Sequence, residues 1–386
     1  MSKPIYILSA VRTPVGSFCK SLASLSAPKL ASFAISEAVK RAKISPQNID
    51  EVIMGCVLTA GVGQAPARQA AIFAGLPSSV PCMTINKVCG SGLKAVMLGG
   101  QSLLVGDSKT VVAGGMESMS QTPYLIEKGR AGYRLGHGQV VDSMIKDGLW
   151  DVYNNFHMGN AAELCAKKYK FSRKAQVSFA IQSYKRALST ISKGYFKDEI
   201  IPVKIEDGKN ITLIDQDEGP GRVNFDKIPT LQPVFEKDGT ITVANASSLN
   251  DGAAALVLSC EKKGNPLAKI LGWSTHAQEP AWFTTAPVEA IKKLLKKIKM
   301  KTKDFDLFEI NEAFAAVTLA AIEELKLDPK KVNIHGGAVA LGHPIGASGA
   351  RILTTLIYAL KRNKLKRGLA TLCIGGGEAV ALAIEV

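Results

Sequence analysis

Apolar residues recur along this chain in two registers, at helical spacing in some stretches and as short unbroken runs in others. After Cys89, Leu93, Val96, Met97 and Leu104 fall on one stripe, and after Gly346, Ile352, Leu356, Ile357 and Leu360 do the same. Each stripe leads into a continuous apolar run, Thr110–Ala113 and Leu369–Ile374, and the chain opens on another, Ile5–Val11. Unbroken runs of this length fit strands buried on both faces. The alternation predicts an α/β fold in which helices cover largely buried sheets.

The pattern repeats. AVKRAKISPQNIDEV at 38–52 is echoed by LLKKIKMKTKDFDLF at 294–308, with Asp50 answered by Asp306 at an offset of 256. Nearly the same offset, 257, lays CGSGLKA from Cys89 over GASGARI from Gly346, and GGMES after Val112 answers GGGEA after Cys373. NDGAAALVLS at 250–259 matches GGEAVALAIE at 376–385 at an offset of only 125, so the first half holds some 131 extra residues between about Ser118 and Asn250. Two fused copies of one α/β unit, packed in layers, with an inserted lobe in the first, is the predicted architecture. The boundaries expected are 1–118 plus 246–264 for the first half, 119–245 for the insertion and 265–386 for the second half.

Composition narrows the classes. With 386 residues, 46% of them hydrophobic, the chain can bury a large core and is not disordered. No run of about 18 apolar residues is expected to span a bilayer, and the N-terminus does not read as a secretory signal. Seven scattered cysteines without a C-x-x-C pair argue against structural zinc and fit a reducing cytoplasm. The net charge of +15 invites a nucleic-acid reading, but much of it lies in stretches such as IKKLLKKIKMKTK at 291–303, where lysines flank an apolar stripe as a solvated helix face. Basic and aromatic residues do not interleave as a nucleic-acid surface requires. An anionic small molecule is the better match.

The candidate chemistry gathers around two cysteines beside small residues, where backbone can approach a substrate and the thiols would lie open to it. Cys89 precedes Gly-Ser-Gly at a predicted helix start, whose dipole is expected to bring its pKa below about 8.5 and make it an acyl-accepting nucleophile. A small buried cysteine is the bland alternative. Cys373 ends a predicted strand before Gly375-Gly376-Gly377, whose N–H groups could form an oxyanion hole; packing in the core is the equal alternative. His343, between Gly342 and Pro344, could take a thiol proton or donate to a thioester oxygen, with His335 its nearest competitor. Asn311 could hold a water for such an oxygen or merely cap the helix after LFEI. Asn245, Ser247, Asn250 and Asp251 could line a channel or make turns.

AVRTPVGSF, NKVCGSG, GGMESMS, HMG at His157, NASSLNDGAAA, EINEAFA, HGGAVALGHPIGASGAR and CIGGG, in this order, resemble the thiolase family over essentially the whole chain. The resemblance implies a reversible, ping-pong Claisen condensation of two acetyl-CoA to acetoacetyl-CoA and CoA through an acyl-Cys89 intermediate. Cys89 is then the nucleophile, His343 its activator and Cys373 the acid/base. Asn311 (through a water) and His343 would form one oxyanion hole, the N–H groups of Cys89 and Gly375 the other. Ser247, Arg222, Met158, Phe283 and His157 are implied as substrate contacts, with Trp282, Thr284 and Thr285 bordering the acyl pocket and the insertion carrying much of the CoA surface. No metal or other cofactor is implied beyond the coenzyme A thioesters, no nucleic acid or membrane is expected as partner, and a homodimer or homotetramer is. His335, Ser248 and Glu378-Ala379 depart from common family patterns. The rivals are a broader-chain 3-ketoacyl-CoA thiolase of fatty-acid β-oxidation, a β-ketoacyl synthase, against which the second cysteine argues, and a non-catalytic CoA or lipid carrier.

Overall fold

The computed structural model describes residues 3–208 and 210–386. Its main sheet contains β1 (Ile5–Arg12), β2 (Glu51–Gly55), β3 (Cys82–Ile85), β4 (Thr110–Ser118), β5 (Asn250–Ser259), β6 (Ala268–Ala277), β7 (Leu307–Ile310), β8 (Arg367–Ile374) and β9 (Glu378–Glu385), hydrogen-bonded in the order β7-β8-β9-β6-β1-β5-β4-β2-β3. The order is symmetric about its centre. In the second half β7 and β8 are parallel, then β8/β9 and β9/β6 antiparallel; in the first, β2 and β4 are parallel, then β4/β5 and β5/β1 antiparallel. Antiparallel pairing of β1 with β6 joins the two sets.

Strand periodicity explains the layering, because successive side chains point to opposite faces. Val52 and Met54 of β2 pack under α1 (Ala27–Ala42) and α2 (Pro66–Phe73), whereas Ile53 points the other way, onto α3 (Ser91–Val105). In the second half Leu369, Ala379, Ala381 and Ala383 face α6 (Ala286–Ile298), whereas Leu372, Val380, Leu382 and Ile384 face the cluster shared by α3 and α9 (Ser348–Arg362). The central helices are thus covered on both sides, giving helix, sheet, helix, sheet and helix layers. This is also why Val88–Val105 turns out, against the sequence expectation, to be long and apolar enough to cross a membrane; more than half of it is buried between the sheets. α6 has the predicted solvated lysine face: Lys292, Lys293, Lys296 and Lys297 are exposed and Ile291, Leu294 and Leu295 buried.

The internal repeat reappears as repeated hydrogen bonding. Asp50 accepts from the N–H groups of Lys109 and Thr110, both at 2.8 Å, and Asp306 accepts from those of Lys366 and Arg367 at 2.9 and 2.8 Å. Lys43 and Lys299 end α1 and α6 in the same left-handed conformation, each at φ +55°. Register corrects one match. Thr110 opposes Ser259 as Arg367 opposes Glu385, so Cys373 stands at the place of Met116, and the three glycines after Ile374 form the β8–β9 turn instead of answering Gly114-Gly115. The same register makes the later offset 126 rather than 125.

Between β4 and β5 lie α4 (Met158–Lys168), α5 (Arg173–Ser192), short strand pairs and a hairpin of Val203–Asp207 with Asn210–Ile214. α7 (Ala315–Leu325) and the one-turn α8 (Ala338–Leu341) complete the second half.

Candidate active site

The backbone just before α3 is bent sharply. Val88 has φ +44°, a left-handed conformation that costs a β-branched residue about 1–3 kcal/mol. Two side chains pin it: Asn86 Oδ1 accepts from Val88 N–H at 2.9 Å, and Ser91 Oγ accepts from Lys87 N–H while donating to the Val88 carbonyl at 2.7 Å. Lys87 pairs with Glu378 across the β8–β9 turn. The result presents Cys89, half-buried, to a cavity of about 530 Å³.

The matching segment of the second half arrives through a glycine contact. A Cβ on Gly92 would lie 2.8 Å from Ala350 N, and one on Gly349 would lie 2.2 Å from Leu93 N, so α3 and α9 cross backbone to backbone at repeat-equivalent positions. That crossing brings Cys89, two residues before α3, and the turn before α9, with His343, to the same cavity. Gly342 holds φ +104° with no room for a side chain, since a Cβ would meet Asn250 at 2.3 Å. Asn250 Oδ1 accepts from His343 N–H at 3.0 Å and from Ser248 Oγ at 2.8 Å, so Asn250 fixes the turn and does not line the cavity.

The His343 tautomer follows from its neighbour. Ser348 Oγ donates to the Pro344 carbonyl at 2.9 Å, so the 2.5 Å contact with His343 Nδ1 has the imidazole donating. Nε2 is left as a bare lone pair, buried and unpartnered, on the residue that lines the cavity beside Cys89. Burial, reinforced by the Arg351 cation, lowers its pKa to about 3, so it is a neutral base.

Cys89 corrects the expectation drawn from the helix dipole. Burial pushes its thiol up to about 11; the N–H groups of Gly375 and of Cys89 itself hydrogen-bond the sulfur and oppose the shift, and the Glu117 carboxylate adds to it. Desolvation outweighs one helix terminus here. Of the two alternatives for Cys373 the structure takes the buried one: it is fully buried in a cluster with Met158, Phe283 and Phe314, and burial, with the neighbouring Cys89, raises its pKa well above the ordinary thiol value. Asn311 is not a helix cap, since α7 begins at Ala315 behind Phe314. Its amide is wholly buried with both polar atoms unpartnered, which suits a water between it and a substrate oxygen.

Of the predicted substrate contacts, Ser247, Met158, Phe283 and His157 line the cavity together with Gly375. His157 Nδ1 accepts from Gly159 N–H at 3.1 Å, so Nε2 carries the proton, and the ring stacks on Phe235 at 4.8 Å. Arg222 does not line it and lies exposed in the turn Pro220–Arg222. Trp282, Thr284 and Thr285 also stay outside, with Trp282 and Thr285 beside Lys168 and Tyr169. The wall is largely apolar, with Asp142 as its carboxylate and neither Lys nor Arg, so it suits a neutral chain better than a phosphate.

Sequence reasoning missed Glu117. Its carboxylate accepts from the N–H groups of Val57 (3.1 Å), Leu58 (3.1 Å) and Gly346 (2.8 Å), tying both halves together, and burial lifts its pKa to about 7. A lone acid in the otherwise apolar run TVVAGGMES was the available signal. Ser348 was missed for a different reason: nothing in GASGAR says which side chain its hydroxyl meets. No group of His, Cys, Asp and Glu able to hold a metal exists among the described residues.

The chain is similar to known proteins over essentially its whole length. A family model described as "Thiolase, N-terminal domain" matches residues 5–262, and "Thiolase, C-terminal domain" matches 264–386. An acetyl-CoA acetyltransferase of Schizosaccharomyces pombe is 50% identical, covering 99% of this chain and 98% of its own, and acetyl-CoA acetyltransferase 2 of Arabidopsis thaliana is 50% identical over 100% and 97%. The crystal structure of the Bacillus anthracis acetyl-CoA acetyltransferase superimposes with a TM-score of 0.97 at 42% identity, covering 100% and 99% of the two chains. That of an Ascaris suum thiolase in complex with coenzyme A gives 0.93 at 45% identity over 99% and 100%.

Proposed function

The chain belongs to the thiolase family, and from that premise we propose how its residues divide the work of the reaction. It is an acyltransferase, an acetyl-CoA acetyltransferase that condenses two acetyl-CoA into acetoacetyl-CoA and CoA and runs the reverse cleavage. The observation that carries the mechanism is that Cys89, Gly375 and His343 line one cavity, with the buried, unpartnered Nε2 of a neutral imidazole on its wall.

His343 Nε2 takes the Cys89 thiol proton as the sulfur attacks the acetyl carbonyl. The N–H groups of Cys89 and Gly375 hold the resulting oxyanion. CoA leaves with the Cys373 proton, so the enzyme now carries acetyl-Cys89, imidazolium at His343 and thiolate at Cys373. A thiolate in an apolar cluster is a strong base, and it removes the α-proton of a second acetyl-CoA, whose enolate oxygen is held by His343 Nε2–H and by a water on Asn311. The carbanion attacks acetyl-Cys89, the C–S bond breaks, and the departing Cys89 sulfur recovers its proton from His343. Every proton returns to its starting group, so the cycle balances without a metal or redox cofactor.

Ser247 and His157 face the pantetheine arm, Met158 and Phe283 the acyl end, and the CoA phosphates lie outside this wall, which offers them no cation, with Arg222 a candidate for them. A reducing cytoplasm suits seven free cysteines, and a homodimer or homotetramer is supported by apolar side chains exposed on the insertion, among them Tyr124, Ile126, Leu135 and Val140.

The test is CoA-dependent cleavage of acetoacetyl-CoA by wild type, Cys89→Ala and Cys373→Ala, repeated with a long-chain 3-oxoacyl-CoA. Activity confined to wild type and the short substrate supports the assignment. Preference for the long chain would move the enzyme to fatty-acid β-oxidation.

A further inference from the structure

Away from the thioester cavity, and sharing no lining residue with it, a groove of about 630 Å³ runs along α5. One wall is an α5 face that carries Lys185 and Lys193; the other is formed by Tyr195, Asn363 and the Ile334-His335 turn. No carboxylate lines it. Its cations differ in availability. Arg186 is spent on the backbone carbonyls of Val332, Asn333 and Pro329, and Arg362, outside the groove and stacked on Tyr195, binds the Tyr195 carbonyl and pairs with Asp198. Lys185 and Lys193 are exposed and make no ion pair among the described residues.

The second observation is His335, only 7% exposed, which lines the groove and whose Nε2 is buried without a partner. Nδ1 lies 3.0 Å from Thr190 Oγ1, which is itself buried and makes no other side-chain hydrogen bond. Whichever of the two donates, one buried donor is left over, the Thr190 hydroxyl or the Nε2–H, and leaving it unpaired costs about 1–3 kcal/mol. Either way the His335–Thr190 pair, both members of which line the groove, holds a donor with no acceptor. Burial, together with Arg362 and Lys193, lowers the His335 pKa to about 4, so the ring is neutral.

A buried donor without an acceptor, in a groove with two lysines outside any ion pair, of which Lys193 also lies over the Tyr195 ring at 5.7 Å, and no carboxylate, lacks an oxyanion. We infer that the groove between α5 and the His335 turn is a binding site for a phosphate group, with Lys185, Lys193 and the unpaired donor of the His335–Thr190 pair as its ligands. Neither the thioester chemistry nor the CoA cavity uses these residues, and His335 is one of the positions at which the sequence departs from the family pattern.

The experiment is calorimetric titration of the full chain with inorganic phosphate and, in parallel, glycerol 3-phosphate; tighter binding of the second identifies an ester as the natural occupant. In Lys185→Ala/Lys193→Ala each lost charge-assisted hydrogen bond is expected to weaken binding about tenfold, with acetoacetyl-CoA cleavage unchanged, which shows that the variant is folded. Nitrogen NMR of labelled histidines should show phosphate shifting Nε2 of one ring, a signal absent from His335→Asn. Wild type that binds neither ligand, or binding unaltered in the lysine variant, would overturn the proposal.

Discussion

Gly349→Ala tests whether the helix crossing, and not only the reacting side chains, sets the rate. The new Cβ would lie 2.2 Å from Leu93 N and 2.8 Å from Leu93 Cβ. The first of these is backbone, so no rotamer change relieves it, and α9 must withdraw from α3 by about 1 Å to restore ordinary contact. Overpacking of this kind costs about 3 kcal/mol. Replacing a helical glycine by alanine returns about 1 kcal/mol of helix propensity, so the variant should be about 2 kcal/mol less stable in urea denaturation. Because α9 follows directly on the His343 turn and α3 on Cys89, the withdrawal separates base from nucleophile. A displacement of that size lowers kcat by about 100-fold. Gly106→Ala is the control: it sits at φ +93° with nothing within 4 Å, so it should cost about 1 kcal/mol of backbone strain and leave kcat alone. A folded Gly349→Ala enzyme with wild-type kcat would refute the reasoning.

The two thiols should separate kinetically. Cys373→Ser is expected to keep acetylation of Cys89 by acetyl-CoA, read by mass spectrometry, while condensation falls by about 100-fold or more; loss of both together would remove Cys373 from the enolisation step. With Cys89 raised to about 11 and His343 neutral down to about 3, alkylation of Cys89 by iodoacetamide should rise about tenfold per pH unit between about pH 6 and 9. A plateau in that range would mean that a preformed thiolate–imidazolium pair exists. Stability should also depend on pH. Burial raises the Glu309 pKa to about 8, so between its unfolded value, about 4.3, and pH 8 the native state holds a proton that the unfolded chain has lost, and stability falls as pH rises through that window. Glu309→Gln should match wild type at about pH 5.5 and decline less by pH 8.5 in urea denaturation. Parallel profiles would contradict the assignment.

The strands, the central helices, the inserted segment and the fusion of two related halves were legible because each leaves a local signature. Helical spacing, continuous apolar runs and a near-constant offset between Asp50 and Asp306 need no knowledge of what packs where. Cys89, His343 and Cys373 stood out as candidates because glycine-rich turns mark where backbone must bend or approach closely, and Asn311 because it follows the strand-like LFEI. The register of the β8–β9 turn was misjudged, since glycine-rich strings align with one another almost equally well in several frames.

The sequence by itself determined that Cys89 would stand before a central helix and His343 before its repeat partner, because both placements follow from patterns within a few dozen residues. Tertiary structure alone decided the protonation states: the helix terminus beside Cys89 is local, but the desolvation that overrides it comes from elements far apart in the chain. It also decided that Ser348 fixes the tautomer of His343, that Glu117 joins Val57 and Leu58 to Gly346, that Trp282 lies outside the cavity, and that His335 shares a groove with Lys185 and Lys193. Hydrogen-bond partners and dielectric surroundings are set by three-dimensional neighbours, and a linear pattern of residue types does not specify them.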